Sequence, residues 1–240
     1  MTAIGRVLYG LWAWGLFVII ALGALVFALP APGVMLRRRI ACAGARLFLK
    51  GAAIRLEVVG LRHLPAGPCV VVANHASYVD GVVMQAALPP RFAFVIKKEM
   101  GRVPLASLLL KRLGSEFVER YDRQRGGVDA RRVLRTAAGG QALAFFPEGT
   151  FDERVGLARF HLGAFVAAHR NGLPLIPAAI LGARAVLAPG TAWPRPGRIV
   201  VEILAPVAAP APGSADGAQR LKLAARAAIL ARTGEPDLEA

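Results

Sequence analysis

V-V-V-A-N-H-A-S-Y-V-D-G, residues 70–81, sets a short apolar run directly against a histidine and, five positions later, an aspartate. The run is apolar at every position rather than at alternate ones, which belongs to a strand covered on both faces. A helical stretch follows Asp80, so the histidine and aspartate fall in a strand-to-helix turn, where open α/β sheets bind their ligands. The same alternation of short apolar runs and helical stretches continues along the chain. Strands are expected at 54–59, 69–73, 92–96, 116–118, 143–146, 175–181 and 199–204, and helices at 81–87, 105–112, 128–138, 164–171 and 218–232. This order predicts a single α/β domain with a mixed, largely parallel sheet flanked by helices.

The rest of the chain points to lipid. At 240 residues it can bury one substantial core, yet 55% hydrophobic residues and a mean hydropathy of +0.50 exceed what a water-soluble domain needs. No charge occurs from Val7 to Leu36, and residues 7–29 are long enough, at about 1.5 Å each, to cross about 30 Å of hydrocarbon. They read as a retained membrane helix. A cleaved secretory signal is the competing reading, but its apolar core is only about 7–15 residues long. Arg37, Arg38, Arg39, Arg46, Lys50 and Arg55 follow the segment against Arg6 alone before it, which places residues 37–240 on the cytoplasmic side of the inner membrane. Residues 37–53, apolar but punctuated by Arg46 and Lys50, suit a basic helix in the headgroup plane. Pro30, Pro32 and Gly33 also permit a hairpin that enters and leaves one leaflet. The expected organisation is a membrane anchor at 1–53, the α/β domain at 54–207, and a linker with a C-terminal helix at 208–240.

A formal charge of +15 and a pI near 11.3 call for an anionic partner. Nucleic acid is excluded by the lack of any basic stripe interleaved with aromatics and of any finger, RNP or helix-turn-helix signature. Anionic membrane lipid fits, and so do an acidic carrier protein or the phosphates of coenzyme A. Cys42 and Cys69 make no metal spacing, and a cytoplasmic disulfide is not expected.

Folding Asp80 back onto His75 fixes one imidazole tautomer and leaves the other nitrogen basic, which makes the pair a candidate general base. Asn74 can hold the turn through its amide and Ser77 can cap the helix. F-F-P-E-G-T, residues 145–150, ends another apolar run, and its proline and glycine force a turn that displays Glu148 at the sheet's rim. Arg120, after L-G-S-E-F-V-E, is suited to a two-pronged phosphate contact, and Lys97 and Lys98 close a strand at the same rim.

In order, N-H-A-S-Y-V-D at 74–80, G-S-E-F-V-E-R at 114–120, F-P-E-G-T at 146–150 and L-P-L-I-P-A-A-I at 173–180 resemble the four motifs of the glycerolipid acyltransferase family, over roughly residues 55–207. The resemblance implies an O-acyltransferase in phospholipid biosynthesis. His75 would deprotonate the free hydroxyl of a lysophospholipid, with 1-acylglycerol-3-phosphate giving phosphatidic acid as the default. Asp80 would orient the ring. The hydroxyl would attack an acyl thioester, from acyl-CoA or acyl carrier protein, with no covalent acyl-enzyme and no metal or redox cofactor. Asn74, Lys97, Arg120, Glu148, Gly149, Thr150 and His161 would form the substrate-binding set. The chain departs from the pattern at Phe151 and Asp152, where phosphatidate-making members often carry arginine and serine, and at Phe160-His161-Leu162-Gly163 in place of F-K-x-G. One phosphate ligand is therefore absent from its usual place, and another lysolipid or an acylated amino-acid lipid is the alternative acceptor.

Rival readings lack their motifs. No G-x-S-x-G elbow supports a serine hydrolase, and no H-E-x-x-H supports a metal hydrolase on His75, Asp80 and His161. A non-catalytic phospholipid-binding membrane protein accounts for the charge and predicts that His75 is dispensable.

Overall fold

A computed structural model of the chain describes residues 2–119, 123–151, 153–208, 210–211 and 213–239. Two long helices, α1 (Ala3–Ala28) and α2 (Val34–Gly51), precede β1 (Ile54–Val59), β2 (Val70–Ala73), α3 (Asp80–Ala87), β3 (Phe92–Lys97), α4 (Pro104–Arg112) and β4 (Glu116–Val118). The second half runs α5 (Arg123–Ala138), β5 (Ala142–Phe145), α6 (Gly163–Arg170), β6 (Leu175–Leu181), α7 (Ala183–Val186), β7 (Gly197–Ile203) and α8 (Gly217–Thr233). The strands form one seven-stranded sheet in the order β1-β7-β6-β2-β5-β3-β4. Every pairing is parallel except β6 with β7. This is the mixed, largely parallel α/β architecture expected from the alternating pattern.

Continuous apolar runs require cover on both faces, and both are covered. Val71 and Ala73 of β2 face a layer containing Val83 and Met84 of α3 and Phe48 and Leu49 of α2. Val70 and Val72 face Phe165 and Ala168 of α6 and Leu221, Ala225 and Ile229 of α8. The C-terminal helix, expected beyond a linker, is thus part of the main core. α5 closes the remaining sector by packing Val133 and Ala137 on Ala93, Val95 and Leu143.

Two connections decide where a site can form. β2 is followed by a crossover to β3 on one side, whereas β5, its immediate neighbour, is followed by a crossover to β6 on the other. Between β2 and β5 the chain therefore leaves in opposite directions, opening a crevice at their carboxyl ends. His75 emerges from one strand and Glu148 from the other.

The expected basic helix at 37–53 falls largely within α2, which packs on the domain. α2 is seated on the domain along its length. Arg38, 3% exposed, donates to the carbonyls of Leu113 (2.8 Å) and Arg91 (2.9 Å), and Arg46 donates to Ala86 O (2.9 Å). Carbonyls at loop and helix ends on the domain attract these guanidinium groups, which no local pattern reveals. α1 runs antiparallel along α2: Tyr9 Oη donates to Ala52 O (2.5 Å), while added Cβ atoms at Gly51 and Gly44 would meet Leu16 and Ile20. Among the described residues one helix, Ile4–Ala28, is long and apolar enough to cross a membrane.

Candidate active site

The carboxylate of Asp80 is fully buried at the start of α3 and folds the preceding loop around one of its oxygens. Oδ2 accepts hydrogen bonds from His75 Nδ1 (2.9 Å) and from the backbone N–H groups of Ala76 (2.7 Å) and Ser77 (2.8 Å). A buried carboxylate needs such donors, and the first turn of a helix favours its charge. Because this oxygen accepts, Nδ1 carries the ring hydrogen and Nε2 keeps the lone pair. Phe146 stacks on the His75 ring at 4.3 Å, and the edge of Phe151 meets it at 4.3 Å, with Tyr78 packed on Phe151 in turn. The imidazole side chain is 17% exposed, so it is held on several sides yet open to a substrate.

Glu148 is also drawn to this point, by the parallel register of Val72 with Phe145. It is not displayed at the rim. The residue is 5% exposed, and its carboxylate accepts from His75 N–H (2.6 Å) through Oε1 and from Ala158 N–H (2.8 Å) through Oε2. Unpaired amides across the crevice pull the acid inward. Burial pushes its pKa from the ordinary 4.5 up to about 7, against the two backbone hydrogen bonds. Gly149 closes this turn at φ +79°, a left-handed conformation that suits glycine, with its N–H on Phe146 O (3.0 Å). Thr150, next in the chain, is exposed.

The other expected site residues divide. Asn74 uses its amide to bind both backbone groups of Ile180 (3.0 and 2.7 Å) and ties β2 to β6, leaving that side chain no free polar atom to hold the turn itself. Ser77 donates to Leu187 O (2.6 Å) and accepts from Val79 N–H (3.2 Å), so it anchors the loop rather than standing at the N-cap, which is Val79. Lys97 is exposed at the end of β3 and lies outside the cavity lining, and Lys98 pairs with Glu119 at 3.9 Å. Arg120 and Asp152 lie outside the described residues. A largely apolar cavity of about 340 Å³ opens beside the crevice, lined by Val95, Val118, Val133, Phe145, Phe146, Gly149 and His161, among others. Among the described residues no group of three or more His, Cys, Asp or Glu is placed to hold a metal ion. Sequence reasoning missed the aromatic packing of Phe146, Phe151 and Tyr78 around His75, for which the only signal was aromatic residues within or directly after the two motifs.

An Acyltransferase family model matches residues 55–181, more than half of the chain, and the chain belongs to that family. A chloroplastic 1-acyl-sn-glycerol-3-phosphate acyltransferase of Brassica napus is 29% identical over 140 residues, covering 57% of this chain and 40% of that protein. A putative 1-acyl-sn-glycerol-3-phosphate acyltransferase of Caenorhabditis elegans is 30% identical over 177 residues, covering 72% and 62% respectively. The chain thus spans less than two thirds of the length of these relatives. The crystal structure of the 1-acyl-sn-glycerophosphate (LPA) acyltransferase PlsC from Thermotoga maritima superposes with a TM-score of 0.77 over 97% of this chain and 98% of that one. At 20% identity that likeness is one of fold.

Proposed function

We propose that the protein transfers an acyl chain from a thioester, acyl-CoA or acyl carrier protein, to the free hydroxyl of a lysophospholipid, and that 1-acylglycerol-3-phosphate, giving phosphatidic acid, is the acceptor. The observation that carries this reading is the 2.9 Å bond from His75 Nδ1 to buried Asp80 at the switch-point crevice. Nε2 removes the hydroxyl proton as the acceptor oxygen attacks the thioester carbonyl. Asp80 stabilises the imidazolium, the tetrahedral adduct collapses with loss of thiolate, and the imidazolium returns the proton to give the free thiol. A thioester is already activated, so a base and positioning are sufficient chemistry. No metal or redox step is involved. The apolar cavity beside Phe146 supports placement of an acyl chain against the reacting centre. The 1-acyl-sn-glycerol-3-phosphate acyltransferases among the relatives support the acceptor.

Phe151 favours a second reading of the acceptor alone. Its ring packs against His75 and Tyr78 at a position where a phosphate ligand was expected, which suits a lysolipid with a different headgroup.

The setting is the cytoplasmic face of the inner membrane. α1 leaves Ile4, Leu8, Leu11, Ile19 and Val26 exposed along one face while its other face packs on α2. Because α2 is itself seated on the domain, a crossing by α1 would draw the domain into the bilayer. This packing favours a hairpin in one leaflet over a single span.

Mass-spectrometric product analysis of purified protein with a panel of lysolipids and both thioester donors tests the reading. A diacyl product from 1-acylglycerol-3-phosphate at the highest kcat/KM is expected. Preference for another lysolipid replaces the acceptor, and thiol release without any acylated lipid rejects acyl transfer.

A further inference from the structure

Besides Arg38 of α2, buried charge outside the crevice lies on α8, paired with acids in the residues after it. Lys222 and Arg226 are 5% and 4% exposed. Arg226 pairs with Asp237, and Lys222 Nζ holds Glu239 at 2.6 Å. Residues 235–239 run back over the segment that follows the F-P-E-G-T turn. Leu157 N–H donates to Pro236 O (2.8 Å), and Leu238 N–H donates to Leu157 O (3.1 Å). Arg226 braces the same segment by donating to Leu157 O (2.8 Å) and Ala158 O (2.5 Å), and it lies 5.1 Å over the Phe160 ring. Gly156 sits at φ +143°, and a Cβ there would come within 2.7 Å of Leu238 Cγ and 2.8 Å of Pro236 O. The path of this strap thus dictates the residue beneath it.

The braced segment is the one that reaches the base. Ala158 offers its carbonyl to Arg226 and its N–H to Glu148, and Glu148 in turn accepts the N–H of His75. A buried ion pair adds little stability over well-packed apolar residues of the same volume. What a guanidinium adds is direction, because its donors form a rigid planar fork. We propose that Arg226, held by Asp237, with Glu239 held on Lys222, is a positioning residue for the base: the strap fixes Ala158, Ala158 fixes Glu148, and Glu148 fixes the backbone of His75. This rests on the reading of His75 as the base.

The test uses the full chain. Arg226→Gln removes the fork at a buried site and risks misfolding, so the principal variant is Asp237→Asn combined with Glu239→Gln, which keeps volume at partly exposed positions. Amide hydrogen exchange of the peptide spanning residues 75–80 is measured together with kcat, acceptor KM and melting temperature. Faster exchange at 75–80 and a kcat about tenfold lower, at an acceptor KM within about twofold, are expected, since small misplacement of a catalytic group has large kinetic effects. Combining the variant with Glu148→Gln should give no further loss, because both act through one contact. Arg226→Lys should recover less than half of the exchange protection, since an ammonium cannot brace two carbonyls in a plane. Unchanged exchange at 75–80 with a lowered melting temperature overturns the proposal, as does full additivity with Glu148→Gln. The exchange measurement decides the strap even for a protein that shows no acyl transfer, so the two failures are distinct.

Discussion

Asp80 gathers three donors on one oxygen, and that is the smallest unit on which the chemistry depends. Asp80→Asn keeps the shape but loses the charge and forces an amide among donors. We expect kcat to fall about 10³- to 10⁴-fold, as for loss of a carboxylate that orients an imidazole, with acceptor KM little changed. Steady-state kinetics on a folded variant check this. Glu148 makes a different prediction. In the folded protein it holds its proton up to about pH 7, whereas the unfolded chain releases it near 4.5. The folded state therefore binds more protons between these values, and stability falls as pH rises across them, by on the order of 3 kcal/mol in total. Denaturant melts of the wild type and Glu148→Gln from pH 4 to 8 should differ by that slope, and parallel curves would refute the shift. The His-Asp pair was legible because both partners lie within one short loop. Glu148's inward turn was not, because its donors are backbone N–H groups 73 and 10 positions away, and the partner of Asn74 is 106 positions away.

Among the elements, α2 shows most clearly how tertiary contacts override a local pattern. Three consecutive arginines after an apolar helix read as markers of the cytoplasmic side, a pattern that says nothing of Arg38 pointing into the protein to carbonyls of residues 91 and 113. Arg38→Met would remove the guanidinium donor from Leu113 O and leave Arg91 O with Gln141 Nε2 alone, and the expected loss is about 2–4 kcal/mol in denaturant unfolding. A change under about 0.5 kcal/mol would show that water replaces the guanidinium freely. The strands were readable nearly to their ends, because a run such as 175–181, apolar at all its positions, has no alternative home. α5 begins at Arg123 rather than at the expected 128: R-Q-R-G-G carries no apolar period, and its glycines have poor helix propensity. The four-residue α7 was too short to leave a pattern.

For the whole molecule, charge and apolar surface act together. On the proposed reading the net charge of +15 would draw the protein to anionic lipid, while the exposed stripe of α1 would supply insertion. Binding to anionic vesicles should weaken between about 0.05 and 0.5 M salt, and Leu8→Glu with Val26→Glu should abolish the salt-resistant remainder. Binding that ignores both salt and the double substitution would contradict the arrangement. The central claim is that His75 acts as the base at this surface. Its most direct test is the rate of acyl transfer by His75→Ala beside the wild type, under the same donor, acceptor and vesicles, with melting temperature and vesicle binding measured on the same samples. The account predicts a fall in kcat of about 10²- to 10⁴-fold with both controls unchanged. A variant that keeps more than about a tenth of the wild-type rate would contradict it.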